Sequence, residues 1–347
     1  MSLSVLPTSL LSAPFEVQPT ARIPPNGAEH GSYQPSCSLV AQFSSLVRPK
    51  VAAGFRQPLS PNRRLWNGEF RRKLGITRVA AAASASGGTL FPYFPDSAQK
   101  LLTELAETLD KELGPFLHAS QTPSDVRYFK SVEGNAEGSI ILRAGKDSKV
   151  DYTLESWLHA TLPFGTLDIG TVVIMLGTEL DSPHFLFEFI LSGPVLVVVL
   201  DHLPRKDLVL DSAYLKRFYE DTELDKVRQI FEKAPDAKPY VSPVLFVRTV
   251  VSPTAAVFRI SNNTEVPGGL LDEQIANVVH PGVTQALQVW LDSLKSRGLP
   301  VENKDEMGKR DNQIKEKGVE VDLSANLPRL FGQDITNKIV AAFRAGR

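Results

Sequence analysis

The sequence predicts an α/β protein, a three-layer α/β/α sandwich with a central antiparallel sheet. Two observations support this fold class. Residues 139–204 consist of β-rich runs joined by connections of a few residues, and connections that short join antiparallel neighbours. Segments with helical periodicity precede and follow these runs, so helices are available to cover both faces of the sheet.

The first 83 residues differ in composition from the rest of the chain. They contain ten Lys and Arg residues but only three acids, and they are rich in Ser, Pro and small residues. Basic, acid-poor segments that cannot bury a core are typical of transit peptides. We expect residues 1–83 to be a disordered, cleaved transit peptide, with the mature chain starting near residues 79–88. A disordered regulatory tail of a cytosolic protein is the alternative.

Residues 84–347 are expected to form one domain, because no linker rich in Pro, Gly or Ser divides them. They carry 28 basic and 36 acidic residues, a net charge of −8, which disfavours nucleic acid as a partner. No run of 18 apolar residues occurs, so no transmembrane segment is expected. Cys37 is the only cysteine and lies in the predicted transit peptide. Its removal would leave no disulfide, thiolate nucleophile, or cysteine-bound zinc or iron–sulfur centre.

The domain begins with a predicted amphipathic helix over residues 96–116, where leucines recur at helical spacing before a Gly-Pro stop. Strands are then predicted over residues 139–145, 149–162, 166–177, 184–193 and 194–204. The turn sequences AGKDS, PFG and SGP separate them. This order predicts an antiparallel meander.

The second half of the domain is predicted to consist of helices with two further strands between them. The helices are predicted over residues 213–233, 272–295 and 334–347, and the strands over 242–251 and 255–261. Pro281 should kink or break the second helix, and Asp334 should cap the third. Residues 302–317 are charged and poor in apolar side chains, which predicts an exposed loop or a frayed helix.

Several common catalytic motifs are missing. The chain has no G-x-G-x-x-G after a strand, no G-x-x-x-x-G-K-[ST], no H-E-x-x-H and no G-x-S-x-G. Nucleotide-binding, zinc-hydrolase and serine-hydrolase functions therefore lose support. The six histidines are scattered without the spacing of metal ligands. Neither a metal site nor a bound cofactor is predicted.

One carboxylate occurs within an apolar strand. In HFLFEFIL, residues 184–191, alternation places Phe185, Phe187 and Phe189 on one face and Glu188 on the other. Such a carboxylate either meets solvent or a cation, or is desolvated until it holds a proton near neutral pH and can act as a general acid. The residues alone leave both interpretations open.

Asp322, in the segment VDLSANLPRLFG, is the second candidate acid. An Asp before such a turn commonly serves as a cap or turn residue, so its position alone does not assign it a chemical role.

The densest basic region of the domain is a candidate docking surface for an acidic partner. An ordinary solvated helix face is the alternative. The region comprises Arg205, Lys206, Lys216, Arg217, Lys226 and Arg228.

Several ordered motifs carry a family resemblance. Between residues 203 and 260 the chain contains RKDLVL, then YL, FY, DT and LD within the following helix, then YVSPVLFVR and SPTA. FPYFP at residues 91–95, SWLHATLP at 156–163 and LPRLFG at 327–332 extend the likeness over most of the domain. In these motifs the chain resembles the red chlorophyll catabolite reductases of plants, which in turn resemble the ferredoxin-dependent bilin reductases.

The resemblance implies a homodimeric enzyme of the chloroplast stroma that binds no cofactor and takes electrons from ferredoxin. It implies reduction of a methine-bridge double bond in red chlorophyll catabolite, a linear tetrapyrrole, to the primary fluorescent catabolite, with pheophorbide a oxygenase as a further partner. The pigment would bind between the sheet and the C-terminal helices, beside two proton-donating acids that fall on Glu188 and Asp322. The alternatives are a non-catalytic tetrapyrrole carrier of the same fold and a heme- or lipid-binding scaffold.

Overall fold

The computed structural model describes residues 91–163, 165–261 and 269–345. The predicted transit peptide lies outside these ranges. The described residues form an eight-stranded sheet of order β1-β2-β3-β4-β5-β6-β8-β7, in which every neighbouring pair is antiparallel. The strands are β1 (Phe129–Lys130), β2 (Ala136–Ala144), β3 (Val150–Leu162), β4 (Gly165–Leu176), β5 (His184–Ser192), β6 (Val195–Leu203), β7 (Ala237–Pro239) and β8 (Ala256–Ser261).

Helices cover both faces of this sheet, which confirms the predicted three-layer α/β/α sandwich. They are α1 (Asp96–Leu113), α2 (Ser124–Arg127), α3 (Ser212–Leu215), α4 (Leu224–Glu232), α5 (Leu245–Val250), α6 (Gly269–Gln274), α7 (His280–Asp292), α8 (Lys304–Gly318) and α9 (Ser324–Ala345). A 3-10 turn forms at Gly114–Phe116, and π-helical turns form at Lys216–Glu220, Ile275–Val279, Ser293–Arg297 and Val319–Leu323. None of the helices in the described ranges is both long enough and apolar enough to cross a membrane.

The sheet has a separate hydrophobic core on each face. On the first face, helices α1, α4 and α7 contribute residues such as Leu102, Phe231 and Trp290. On the second face, α8 and α9 contribute partly buried Ile314 and buried Phe331. The central strands β3 to β6 alternate between the two cores, which explains the alternating sequence pattern.

Strand β5 shows how the alternation orients the candidate acid. Phe185, Phe187 and Phe189 are fully buried in the first core. The residues between them therefore point to the second face, where Leu186 packs against the second core. A two-residue turn at Gly193 and Pro194 joins β5 to β6, and Gly193 adopts a positive φ of 54°. Glu188 thus projects from the middle of the sheet toward the C-terminal helices.

The prediction of a strand over residues 242–251 is wrong, because this segment contains helix α5. Strand β8 already pairs with β6 on one side and with the short strand β7 on the other. With both edges of β8 occupied, these residues satisfy their backbone hydrogen bonds within a helix instead. The many β-branched residues of this segment did not make it a strand, because strand propensity depends strongly on the surroundings of the segment.

The prediction of an exposed loop or frayed helix over residues 302–317 is also wrong. Helix α8 occupies this stretch, and the Asn303 side chain caps it by accepting a hydrogen bond from the Glu306 amide at 3.1 Å. The helix is held by a charged contact, because buried Asp311 forms an ion pair with Arg205 at 2.6 Å and a hydrogen bond with His184 at 3.0 Å.

Arg205 does not belong to a docking surface, contrary to the prediction. It is 1% exposed, and its guanidinium also donates to the carbonyl oxygens of Leu180 (2.7 Å) and Gly177 (2.9 Å). Burial favours the neutral form of Asp311, but His184 and Arg205 together outweigh this effect and lower its pKa to about 2. The ion pair is a structural contact between α8 and the end of the sheet.

Two helix boundaries differ from the prediction. Residues 213–233 form α3, a π-helical turn and α4 rather than one helix, because the Thr222 hydroxyl donates to the carbonyls of Phe218 and Tyr219 at the break. Helix α9 consists of two parts, which the non-helical Gly332 (φ 79°) separates. The second part follows Gly332 and confirms the helix predicted from Asp334, whereas the first part, from Ser324, was not predicted.

Candidate active site

A cleft opens between the second face of the sheet and the C-terminal helices. Its empty volume, including the part open to solvent, is about 560 Å³. Its apolar lining residues are Phe129, Ile140, Trp157, Leu158, Ile169, Leu323, Leu327 and Leu330. Its polar lining residues are Ser156, Thr171, Glu188, Asp322 and Asn326. The cleft therefore brings both predicted acids into one apolar site.

The strand register sets three of the polar residues in a row. Ser156 on β3 lies opposite Thr171 on β4, and Thr171 lies opposite Glu188 on β5. Directly opposite side chains in an antiparallel sheet are close neighbours on the same face. The two hydroxyls can therefore hydrogen-bond a ligand that lies over Glu188. Sequence reasoning missed them, although the short turns between these strands would have been enough to infer the register.

Asp322 reaches the cleft from the helical side. It belongs to the π-helical turn Val319–Leu323, which joins α8 to α9. The Asn326 amide, four residues further along the helix, donates a hydrogen bond to the Asp322 carboxylate at 3.1 Å. The two acids thus line the same cleft from different layers of the fold.

The pKa values of both acids are raised in this site. Burial raises the pKa of Glu188, and the negative charge of Asp322 raises it further. Burial also raises the pKa of Asp322, and the hydrogen bond from Asn326 opposes this increase. Two adjacent carboxyls in apolar surroundings do not both ionise readily. The site therefore favours a proton on the pair, and the hydrogen bond from Asn326 to Asp322 favours its location on Glu188.

Asn326 is a functional candidate that sequence reasoning missed. It is 3% exposed, it lines the cleft, and its Oδ1 has no hydrogen-bond partner within the described ranges. That oxygen can accept a hydrogen bond from an N–H group of a ligand. Asn326 could have been inferred from its position four residues after Asp322, because residues four apart on a helix are neighbours on its surface.

Tyr240 lies near Glu188. Its amide donates to the Val257 carbonyl at 2.9 Å, and its side chain packs on the second core. Burial raises the pKa of the Tyr240 hydroxyl, and the charge of Glu188 raises it further. Tyr240 was not predicted, because its position depends on the pairing of β7 with β8.

The chain is similar to known proteins over most of its length. The family model for red chlorophyll catabolite reductase matches residues 97–345. Red chlorophyll catabolite reductase 1, chloroplastic, of Oryza sativa subsp. japonica is 38% identical over 305 residues, which span 86% of this chain and 92% of that protein. Red chlorophyll catabolite reductase, chloroplastic, of Arabidopsis thaliana is 36% identical over 262 residues, 73% of this chain and 81% of that protein.

A solved structure also aligns with the fold. The crystal structure of phytochromobilin synthase from tomato, in complex with biliverdin, aligns with a TM-score of 0.49 at 15% identity, covering 69% of this chain and 83% of that protein.

The fold and the cleft define a class of protein, an α/β/α sandwich that brings two acids together in an apolar cleft between its sheet and its C-terminal helices. The family model covers most of the chain, and the two relatives align over most of their own lengths. The chain belongs to the red chlorophyll catabolite reductase family.

Proposed function

We propose that the protein reduces red chlorophyll catabolite, an open-chain tetrapyrrole, to the primary fluorescent catabolite with electrons from ferredoxin. The observation that carries this proposal is the pair Glu188 and Asp322, which share one apolar cleft where burial raises both pKa values. An acid that stays protonated near neutral pH suits proton donation to a reduced pigment.

The proposed reaction balances with two electrons and two protons. Two ferredoxins each transfer one electron to the conjugated pigment. A methine-bridge C=C bond becomes a C–C single bond, and each of its two carbons gains one hydrogen. Glu188 donates one proton, and Asp322, which lines the cleft from the helical side, donates the second. The apolar lining limits the access of water to the reducing pigment.

We propose that ferredoxin docks beside the cleft rather than at the predicted basic region. Arg205 is buried, and the remaining cations of that region are each neutralised by an acid nearby. These ion pairs are Lys206–Asp211, Lys216–Asp221, Arg217–Asp181, Lys226–Glu223 and Arg228–Asp225. Arg329 is exposed, forms no ion pair with the described residues, and lies beside the cleft-lining Leu330. It is therefore the cation we propose at the ferredoxin docking site.

We further propose that the protein acts in the chloroplast stroma as a homodimer. The rice and Arabidopsis relatives are named chloroplastic. The basic, acid-poor composition of residues 1–83 agrees with import into that compartment.

An anaerobic assay tests the proposed function. The purified domain is mixed with red chlorophyll catabolite and photochemically reduced ferredoxin, and the absorbance and fluorescence of the pigment are followed. We expect loss of the red absorbance, appearance of a fluorescent product and oxidation of two ferredoxins per pigment. Pigment binding without a change in its bonds would contradict the proposal and identify a carrier.

A further inference from the structure

Asn326 combines burial with an unused hydrogen-bonding atom at the wall of the cleft. The residue lies on the first part of α9, lines the cleft and is 3% exposed. Within the described ranges its Oδ1 is buried and has no hydrogen-bond partner. A buried polar atom without a partner costs free energy, because it has lost water and gained no other contact. A ligand in the cleft can supply the missing donor.

The orientation of the Asn326 amide is set by Asp322. The amide NH2 group donates a hydrogen bond to the Asp322 carboxylate at 3.1 Å. While the proton of the acid pair is on Glu188, the Asp322 carboxylate can only accept hydrogen bonds, so a flipped amide would place oxygen against oxygen. The amide therefore commits its NH2 group to Asp322 and leaves its oxygen for a ligand.

We infer that the Asn326 Oδ1 accepts a hydrogen bond from a ring N–H of the open-chain tetrapyrrole and so determines which ring lies against the helical wall of the cleft. This inference rests on the proposed function and names the substrate group that Asn326 recognises. A conjugated open-chain tetrapyrrole has pyrrole-type nitrogens, which carry a hydrogen, and imine-type nitrogens, which carry a lone pair. An oxygen acceptor binds the first kind and repels the second. The wrong ring would leave buried polar atoms unpaired, and sites discriminate strongly under that condition.

The selected ring would have a defined place relative to the two acids. Asn326 and Asp322 are hydrogen-bonded neighbours on the helical wall, and Glu188 lines the same cleft from the sheet. A ring held at Asn326 therefore lies beside Asp322 and faces the strand that carries Glu188. The methine bridge next to that ring comes between the two proton donors. Asn326 donates no proton itself, so it is a positioning residue.

Two substitutions separate the two halves of the amide. Asn326→Leu has a similar size and removes both the oxygen acceptor and the NH2 donor. Asn326→Asp keeps an oxygen at the position of Oδ1 and removes only the donor to Asp322. A defect that depends on recognition of the ring N–H should therefore be large in Asn326→Leu and small in Asn326→Asp. A defect that depends only on the contact with Asp322 should appear in both variants.

The test uses red chlorophyll catabolite bound to the purified protein without ferredoxin, so that no bond of the pigment changes. Absorbance titration gives the affinity, and resonance Raman spectra in H2O and D2O identify the N–H bending bands of the bound pigment. We expect Asn326→Leu to weaken binding on the order of 10-fold, because one hydrogen bond to a buried acceptor is lost. One N–H bending band should also move to lower frequency. In Asn326→Asp this band should stay near its wild-type position.

Asn337→Leu is the matched control. Asn337 lies on the second part of the same helix, is exposed and accepts a hydrogen bond from Gln333 outside the cleft. Its replacement should change neither the affinity nor the N–H bands. If thermal unfolding shows that Asn326→Leu does not fold, Asn326→Ala removes the same acceptor without adding bulk and gives the same decision.

The outcomes separate this inference from the proposed function. N–H bands that are identical in the wild type and Asn326→Leu would overturn the inference even if the affinity fell, because the role of Asn326 would then be structural. Equal shifts in Asn326→Leu and Asn326→Asp would also overturn it. Wild-type protein that binds the pigment but does not reduce it with ferredoxin would contradict the proposed function and leave the Asn326 contact standing. Wild-type protein that binds no pigment would contradict both.

Discussion

Replacement of Glu188 by Gln is expected to lower the turnover of red chlorophyll catabolite by roughly 100-fold or more, the usual scale for loss of a general acid. Gln keeps the size of the side chain and can fill the same position on β5, but it has no proton to donate. Binding of the pigment should therefore persist while its reduction slows. The measurement is a single-turnover absorbance trace with excess reduced ferredoxin, together with the affinity of the variant for the pigment.

A matched control is available on the opposite face of the sheet. Burial also raises the pKa of Glu137, but this residue accepts hydrogen bonds from Tyr93 and Tyr128 and lies outside the cleft. Glu137→Gln should leave turnover near that of the wild type. Wild-type turnover in a folded Glu188→Gln variant would remove Glu188 from the mechanism.

Replacement of Arg205 by Met is expected to lower the free energy of unfolding by about 3–5 kcal/mol, because it leaves the buried Asp311 carboxylate without its ion-pair partner. It also removes the donors to two backbone carbonyls at the end of the sheet. Chemical denaturation at pH 7 measures the change. Since Asp311 has a lowered pKa of about 2, this stabilisation is fully present above about pH 4 and is lost as the pH falls toward 2. The difference in the free energy of unfolding between Arg205→Met and the wild type should therefore become smaller as the pH falls from about 4 toward 2.

Arg228→Met is the control for this substitution, because sequence analysis placed Arg228 and Arg205 in the same basic region. Arg228 pairs with Asp225 and Glu232 at the surface, and such exposed pairs contribute about 1 kcal/mol or less. Comparable losses of stability for the two variants would contradict the claim that the buried ion pair of Arg205 and Asp311 holds α8 against the end of the sheet.

The central part of the fold was predictable because local pattern and topology agree there. Alternation in residues 184–191 gave the faces of β5 correctly, and the short connections gave the antiparallel order. The resemblance then identified Glu188 and Asp322, and the structure places both in one cleft. Their proximity could not be derived from local patterns, since it requires the C-terminal helices to pack on the second face of the sheet.

The errors arose where distant contacts override local composition. Residues 242–251 have the composition of a strand, but β8 is already paired on both sides, and they form α5. Helix α8 has a weak apolar pattern, and the buried pairing of Asp311 with Arg205 holds it in place. Arg205 appeared to be a surface cation for the same reason, because its partner lies more than a hundred residues away in the sequence.

Infrared difference spectroscopy of the carboxyl groups tests directly whether Glu188 holds a proton in the cleft. At pH 7 the wild-type protein should show the C=O stretch of a protonated carboxyl group that is absent from Glu188→Gln and still present in Glu137→Gln. The band should disappear as the pH rises through the raised pKa of Glu188. Identical spectra of the wild type and Glu188→Gln in this region would mean that Glu188 is ionised at neutral pH, which would contradict its assignment as the proton donor.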